Sequence, residues 1–316
     1  MKKHFKKLLL MALMAVMAVG LIACGTDKSD NESTKEEKTS VTITSLDASK
    51  NEIELEVPYN PKRIAILDLA SLDIIDELGV GDRVVGMAST SIDYLEKYSN
   101  DASIKNLGTI KEADLEAVME CEPDIIFIGG RLSKSYDALS EIAPVVYLAT
   151  DTNEGLVNSV SKNAKTIASI FGMEDKVDSL MSDFGARIDA IKKISSGKTA
   201  LVGMTTSGSF NLLGNDGRCS LIGVEAGFNN LTAAGSTSTH GNESSFETVV
   251  QQNPDYIFVI DRDSAISTAG AKTAKEIVEN ELVKTTDAYK NNHIIYLEHS
   301  NVWYTAEGGI QALDIM

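Results

Sequence analysis

The sequence predicts an α/β protein of two similar lobes, each with a central, mostly parallel sheet, joined by one long rigid helix so that a ligand cleft lies between the lobes. Three observations support this prediction. Short β-rich runs alternate with helical patterns, one segment recurs at a distance of 131 residues, and a long amphipathic stretch without proline separates the two copies. The length of 316 residues suits about two domains.

The alternation of strands and helices indicates largely parallel sheets that are covered by helices. The predicted strands are Arg63–Leu67, Val84–Met87, Asp124–Ile128, Val145–Leu148, Thr199–Met204, Tyr256–Ile260 and His293–Leu297. Polar and apolar residues alternate in Val41–Thr44 and in Glu52–Val57, which predicts a hairpin at the edge of the first lobe.

An internal repeat relates the two lobes. Residues 113–131 (ADLEAVMECEPDIIFIGGR) align with residues 244–262 (SSFETVVQQNPDYIFVIDR). Each copy reads as a helix, a Pro-Asp break, a buried strand and an arginine just past the strand. The helix ends there because proline forces the preceding residue out of the helical region. The repeat pairs Arg131 with Arg262, and Glu116 with Glu247.

A single helix is predicted to connect the lobes. Glu174–Ser195 has apolar residues at helical spacing and only Gly185 as an internal break, which a helix tolerates. At 1.5 Å per residue, this stretch would span about 33 Å, roughly one domain diameter. We therefore expect an N-terminal lobe at 41–172, a connecting helix at 173–196 and a C-terminal lobe at 197–316.

The first 40 residues are predicted to lie outside the fold. Four lysines within residues 2–7 precede an uncharged run, Leu8–Ala23, that is too short to span a bilayer as a helix. This pattern is typical of an export signal, with a short membrane anchor as the alternative. Residues 21–24 (LIAC) resemble a bacterial lipoprotein box, which implies cleavage after residue 23 and lipid on Cys24. The polar residues 24–40 are predicted to form a flexible tether.

Composition excludes several classes of protein. The chain has 29 Lys and Arg against 46 Asp and Glu, a net charge of −17, which argues against a non-specific nucleic-acid binder and against polybasic docking to a membrane. Cys121 and Cys219 are expected to be buried thiols, with a disulfide between lobes as the alternative. The sequence has no Gly-x-Ser-x-Gly, His-Glu-x-x-His or strand-linked Gly-x-Gly-x-x-Gly motif, so an enzyme is not expected, although a surface hydrolase stays open.

These features together resemble the substrate-binding proteins of ABC importers for iron-siderophores and vitamin B12. The likeness covers about residues 41–316 and includes PKRIAILD at Pro61–Asp68, Leu78–Gly86, and Pro-Asp-x-Ile in both lobes. Residues 128–131, 239–242, 255–262 and 303–304 resemble the subgroup that binds ferric catecholate siderophores of the petrobactin type. The resemblance implies Rossmann-like lobes and a monomer, lipid-anchored outside the cell membrane, that has no resident cofactor and delivers an Fe(III)-siderophore to a dimeric ABC permease.

Arginines are the candidate ligand-binding residues. Arg131 and Arg262 follow strand ends, where ligands bind in open α/β sheets, and Arg218 follows a turn after another strand. Arginine is always charged and forms bidentate hydrogen bonds with oxygen-rich anions such as a ferric catecholate. The alternative for each arginine is that it caps a strand or pairs with a surface acid.

The resemblance implies further roles. His240 and Tyr304 would complete the coordination of iron, because Fe(III) takes six donors and a linear bis-catecholate offers four; a solvated loop histidine is the alternative. Trp303 would form either an aromatic wall or simple packing, and Tyr136 could line the rim. Glu116 and Glu247 would each dock one half of the permease, with solvated helix faces as the alternative.

Other ligands and roles stay open at this point. A ferric hydroxamate, haem or cobalamin binder is an alternative of the same class, although haem usually draws Met or His ligands and a hydroxamate complex needs fewer arginines. A surface adhesion or chemosensory protein would have the same cleft. The chain stops at Met316 within an amphipathic run, so by comparison with relatives we expect a truncated C-terminal helix.

Overall fold

The computed structural model describes residues 38–233 and 237–316. The predicted signal peptide, Cys24 and most of the predicted tether lie outside these residues. Across the two described ranges, no helix has both the length and the apolar character that a membrane crossing requires.

The strands are short, and in chain order they are β1 (Ser40–Leu46), β2 (Glu52–Pro58), β3 (Ile64–Leu67), β4 (Val84–Met87), β5 (Lys105–Asn106), β6 (Gly108–Thr109), β7 (Glu112–Ala113), β8 (Ile125–Ile128), β9 (Val145–Tyr147), β10 (Thr199–Thr206), β11 (Ser209–Leu213), β12 (Asn229–Asn230), β13 (Asn242–Glu243), β14 (Tyr256–Asp261) and β15 (Ile294–Tyr296).

The α-helices are α1 (Leu69–Glu77), α2 (Glu96–Ser99), α3 (Leu115–Glu120), α4 (Tyr136–Ser140), α5 (Leu156–Phe171), α6 (Glu174–Leu180), α7 (Phe184–Ser195), α8 (Ser220–Val224), α9 (Phe246–Gln252), α10 (Arg262–Ala265), α11 (Ala274–Val278), α12 (Asp287–Lys290), α13 (Ser300–Thr305) and α14 (Ile310–Ile315). Short 3₁₀ helices occupy Gly81–Arg83, Asp93–Leu95, Gly130–Ser135 and Val283–Thr285.

The first sheet has five parallel strands in the order β5-β4-β3-β8-β9. Its central strands β3 and β8 are buried along their whole length, as expected for strands that helices cover on both faces. The hairpin β1–β2 is antiparallel, with Ser40 opposite Pro58, which confirms the predicted edge hairpin.

The second sheet is mixed, in the order β13-β11-β10-β14-β15, with β12 pairing with the start of β10. Strands β10, β14 and β15 run parallel to one another, and β11 pairs antiparallel with both of its neighbours, β10 and β13. The two sheets fall within the predicted lobes and confirm the α/β class. The boundaries assigned to the lobes stay predictions.

The Pro-Asp repeat has the same structural task in both sheets. The carboxylate of Asp124 accepts hydrogen bonds from the backbone N–H groups of Lys62 and Arg63, at 2.7 and 2.9 Å, just before β3 begins. The carboxylate of Asp255 accepts from the N–H and hydroxyl of Thr199, at 2.8 and 2.9 Å, where β10 begins. Each aspartate therefore ties the start of its own strand to that of the neighbouring parallel strand.

The predicted connecting helix spans the expected residues but is not one unbroken helix. It forms α6 and α7, which a three-residue turn at 181–183 separates just before Gly185. Helical hydrogen bonds persist on both sides of the turn. Met181 N donates to Val177 O before it, and Arg187 N donates to Asp183 O after it. The expectation of one rigid rod is thus corrected to two helical pieces in sequence.

A second chain segment crosses between the sheets after β15, and we call residues 299–316 the crossing segment. Its last helix, α14, packs on α1 beside the first sheet. The buried carboxylate of Asp73 on α1 accepts hydrogen bonds from the N–H groups of Gln311 and Ala312 at 2.9 and 3.0 Å, and from the Tyr94 hydroxyl at 2.6 Å. A side chain at position 309 would collide with this carboxylate, so Gly309 is needed there.

The two described cysteines, Cys121 and Cys219, are buried and unpaired, which confirms the prediction of separate thiols. Burial raises the pKa of both thiols, so neither is activated as a nucleophile.

Asp73 is expected to make stability depend on pH. Burial raises the pKa of its carboxyl to about 6, above the ordinary value of about 3.9. Its contribution to stability is therefore full below the unfolded pKa and is lost as pH rises through about 6. In urea unfolding between about pH 4 and pH 7, the unfolding free energy of the wild type should fall relative to that of Asp73→Asn, by at most about 1.4 kcal/mol per pH unit. Asp189→Asn, a substitution at an exposed position, should show the same pH dependence as the wild type. If the unfolding free energies of the wild type and of Asp73→Asn changed in parallel with pH, the assignment to Asp73 would be contradicted.

Candidate functional site

Tyr304 lies at the centre of the candidate site. It belongs to α13, in the crossing segment, and its side chain is only 4% exposed. Helix α13 begins after His299, whose left-handed backbone conformation turns the chain sharply out of β15. The site residue is therefore positioned by the crossing segment and not by a strand end.

Three guanidinium groups surround the ring of Tyr304. Their carbon atoms lie 5.2 Å (Arg131), 4.3 Å (Arg218) and 5.7 Å (Arg262) from its centre. Arg131 and Arg218 also donate to the Tyr304 carbonyl oxygen at 3.1 and 3.3 Å, and Arg262 Nε donates to its phenolic oxygen at 3.1 Å. One tyrosine thus holds three cations by its ring, its carbonyl and its hydroxyl.

The arginines reach Tyr304 from both sheets. Arg131 lies in the 3₁₀ turn after β8, Arg262 opens α10 after β14, and Arg218 lies in the turn between β11 and α8. The structure brings together the three arginines that the sequence selected. Their role in binding a ligand stays a prediction.

The cluster is positively charged and only partly neutralised. Among the described residues, the ion pair within the cluster joins Arg262 Nη1 to Asp263 Oδ1 at 3.2 Å. Burial, and then the charge of Arg218, lower the pKa of Arg131. The buried Nε of Arg218 has no hydrogen-bond partner within the described chain. Cations so placed are suited to an anion that brings several oxygen acceptors.

His240 is exposed in a loop beside the arginines. Arg218 donates to the carbonyl of the preceding Thr239 at 3.0 Å, and Asn211 donates to the carbonyl of His240 at 2.9 Å. Partial burial, followed by the charges of Arg262 and Arg218, lowers the pKa of His240. Its imidazole is therefore neutral at physiological pH and could donate a lone pair to a metal ion.

The two remaining aromatic candidates have no ring contact with the three arginines in the described part of the chain. Trp303 is 4% exposed and belongs to the main apolar core, which favours packing over an aromatic wall. Tyr136 opens α4 and packs against the apolar cluster beside the first sheet. Across the described ranges, no hydrogen bond or ring contact joins Tyr136 to the three arginines.

Glu116 and Glu247 are both exposed, in the first turns of α3 and α9. Each helix begins with a side-chain cap at the same position of the repeat. Asp114 accepts from Ala117 N at 3.0 Å, and Ser245 accepts from Thr248 N at 3.3 Å. The repeat therefore presents the two carboxylates in equivalent local settings.

Sequence analysis missed Glu307, which lies in the crossing segment three residues after Tyr304. Its carboxylate accepts from the backbone N–H of Cys219 at 2.8 Å. Burial raises the pKa of Glu307 to about 7, against the opposing effect of Arg218. The signal in the sequence was the Gly308-Gly309 pair that follows, since paired glycines mark a close approach of the backbone.

Two cavities lie at the arginine cluster, one lined by Arg218 and the other by Tyr304. The larger, about 600 Å³, is lined by Arg218, Glu307 and loops from both halves of the chain. The smaller, about 280 Å³, is lined by Asp68, Gly129, Tyr304 and Glu307. Glu307 and Thr150 line both cavities, so the two adjoin.

Known proteins share this architecture. Residues 64–300 match the family model described as periplasmic binding protein. The petrobactin-binding protein YclQ of Bacillus subtilis is 36% identical over 321 residues, covering 98% of this chain and 96% of that protein. The crystal structure of YclQ superposes with a TM-score of 0.80 at 37% identity, over 87% of this chain and 95% of the other.

Two further relatives extend the comparison. The crystal structure of the periplasmic catecholate-siderophore binding protein VctP of Vibrio cholerae has a TM-score of 0.79 at 31% identity, over 87% of this chain and 98% of the other. The probable siderophore-binding lipoprotein YfiY of Bacillus subtilis is 27% identical over 330 residues, covering 100% of this chain and 96% of that protein. These similarities point to the capture of solutes and not to catalysis.

Proposed function

The chain belongs to the periplasmic binding protein family, and from this premise we propose that it captures a ferric catecholate siderophore outside the cytoplasmic membrane and delivers it to an ABC permease for iron uptake. The observation that carries the proposal is the convergence of Arg131, Arg218 and Arg262 on Tyr304. The names of the relatives YclQ and VctP, a petrobactin-binding and a catecholate-siderophore binding protein, support the same ligand class.

The arginine cluster explains how an acidic protein can bind an anion. The whole chain carries a net charge of −17, so its overall field repels an anionic complex. Three of the six arginines in the sequence gather at one point and reverse that field locally. The oxygen-rich rim of a ferric catecholate would accept their hydrogen bonds.

His240 and Tyr304 are proposed to complete the coordination of a tetradentate complex. The neutral imidazole of His240 is exposed on the side of the arginines. The Tyr304 oxygen accepts a hydrogen bond from Arg262 Nε at 3.1 Å, which orients it within the cluster of arginines. No resident cofactor is needed, because the iron arrives with its chelator.

Capture requires no chemistry by the protein. The connecting pieces α6 and α7 and the crossing segment join the two halves of the chain at different places, so we expect them to limit hinge motion. We propose that the protein acts as a monomer, that Cys24 carries the lipid anchor, and that Glu116 and Glu247 dock a dimeric permease. The relative YfiY, named as a lipoprotein, supports the anchor.

The ligand assignment is testable with the intrinsic fluorescence of Trp303, the one tryptophan in the sequence. In titrations, a ferric bis-catecholate should bind more tightly than a ferric hydroxamate or haem. Arg131→Gln should weaken catecholate binding by about tenfold or more, because hydrogen bonds from charged groups contribute about 1.5–3 kcal/mol. Lys193→Gln, which removes an exposed cation on α7, should leave the affinity unchanged. Tighter binding of the hydroxamate or haem would overturn the assignment.

The coordination proposal predicts a difference between chelators. His240→Ala and Tyr304→Phe should each lower affinity for a tetradentate complex and shift its charge-transfer absorption, since each removes one donor to iron. A hexadentate complex, whose donors saturate the metal, should keep its spectrum in both variants. His299→Asn is the matched control, because His299 lines a different cavity together with Asp261 and Asn301 and asparagine tolerates its left-handed backbone. An unchanged tetradentate spectrum in both variants would exclude direct ligation.

Docking can be separated from binding. The double variant Glu116→Ala with Glu247→Ala should reduce iron uptake by cells roughly tenfold while the affinity for the ferric complex stays at the wild-type value, because both carboxylates lie outside the arginine site. Glu174→Ala, at an exposed glutamate in the first turn of α6, is the control. Uptake at the wild-type rate by the double variant would remove the docking role.

A further inference from the structure

Helix α5 begins without a side-chain cap of its own. The residue before it is Gly155, and its first turn contains no Asp or Glu. At 16 residues, α5 is the longest helix in the described part of the chain. The first N–H groups of a helix need acceptors, and the N-terminal end of a helix is partially positive. A side-chain acceptor for this end therefore has to come from outside the helix.

A carboxylate from the second half of the chain supplies that acceptor. Glu225 Oε1 accepts a hydrogen bond from Val157 N, in the first turn of α5, at 2.7 Å. Gly155 permits the approach, because a Cβ atom there would lie 3.1 Å from the same oxygen. The backbone of Gly155, with φ 81° and ψ 154°, also lies in a region that is essentially restricted to glycine. The bond thus joins the C-terminal end of α8 to a helix of the first half.

Helix α8 connects Glu225 to the arginine cluster. It has five residues between Cys219 and Glu225, and Arg218 comes directly before Cys219. Glu225 N and Ala226 N both donate to Leu221 O, at 3.2 and 2.7 Å, so the end of the helix is bonded back to its start. Short rigid elements of this kind carry energetic coupling from one end to the other. A displacement at Glu225 would therefore reach Arg218.

A second carboxylate holds the other end of α8. Glu307, from the crossing segment, accepts from Cys219 N at 2.8 Å. Cys219 itself has a left-handed backbone with φ 61°, which turns the chain from Arg218 into the helix. The helix is therefore fixed at its start by the crossing segment and at its end by α5.

The route from Glu225 to a bound ligand is indirect. Among the described residues that line the two cavities at the arginine cluster, Glu225 is absent. Its second oxygen, Oε2, is buried and has no hydrogen-bond partner in the part of the chain that the structure describes. Burial of an unpaired carboxylate oxygen costs free energy, so the side chain is not arranged for stability alone.

We propose that Glu225 is a positioning residue for ligand binding, which fixes Arg218 on Tyr304 by anchoring α8 to the first turn of α5. The contacts at risk without this anchor are the hydrogen bonds from Arg218 to Thr239 O and Tyr304 O, at 3.0 and 3.3 Å. The inference rests on the proposed function, since it takes the arginine cluster to be the ligand site.

A double-mutant cycle tests the proposal. Glu225→Ala should weaken the binding of a ferric bis-catecholate by about tenfold, because Arg218 loses its orientation toward the ligand. In an Arg218→Gln background the same change should have less than about a twofold effect, since the group through which Glu225 acts is gone. In an Arg131→Gln background the full effect should remain, because Arg131 follows β8 in the first sheet. An equal effect in all three backgrounds, or none in any, would overturn the inference.

Two further variants control for the chemistry and for folding. Glu225→Gln keeps an oxygen that can accept from Val157 N and should bind the ferric complex within about threefold of the wild type. Glu154→Ala removes an exposed carboxylate that precedes Gly155 and pairs with Lys162 at 3.3 Å, and it should keep the wild-type affinity. A loss in Glu154→Ala as large as in Glu225→Ala would assign the effect to charge near α5 and contradict the proposal.

Hydrogen exchange checks the anchor without a ligand. In Glu225→Ala, the amides of Val157 and Cys219 should both exchange about tenfold faster than in the wild type, while Ile126 in β8 keeps its rate. Faster exchange at Val157 alone would show that α8 does not transmit the change, and the inference would fail. If the wild type bound no ferric catecholate, the proposed function would fail instead, and the exchange pattern would still decide whether Glu225 anchors α8.

Discussion

The binding site depends on holding three guanidinium groups close together around one buried tyrosine. Such cations repel one another, and each needs hydrogen-bond acceptors once it leaves water. Tyr304 meets both needs because its carbonyl accepts from Arg131 and Arg218, its hydroxyl accepts from Arg262, and its ring faces all three. Because the acceptors are neutral, they orient the cations without cancelling their charge.

The position of Tyr304 depends in turn on the crossing segment. Two contacts after Tyr304 fix this segment. The Glu307 carboxylate accepts a hydrogen bond from Cys219 N, and the first N–H groups of α14 donate to the Asp73 carboxylate. The salt bridge between Arg187 and Asp314, at 2.6 Å, ties the end of this segment to α7. The site, the connecting helices and α1 are therefore mechanically linked through fewer than twenty residues.

Sequence predicted those parts of the site that follow a local rule. The repeat identified Arg131 and Arg262 because strand ends in two similar sheets face a shared cleft, and the Pro-Asp pairs fixed the strand starts. The burial of Trp303 and the role of Glu307 could not be predicted, since both follow from long-range packing of the crossing segment. The turn at 181–183 was also missed, because the apolar spacing continues through it without a helix-breaking residue.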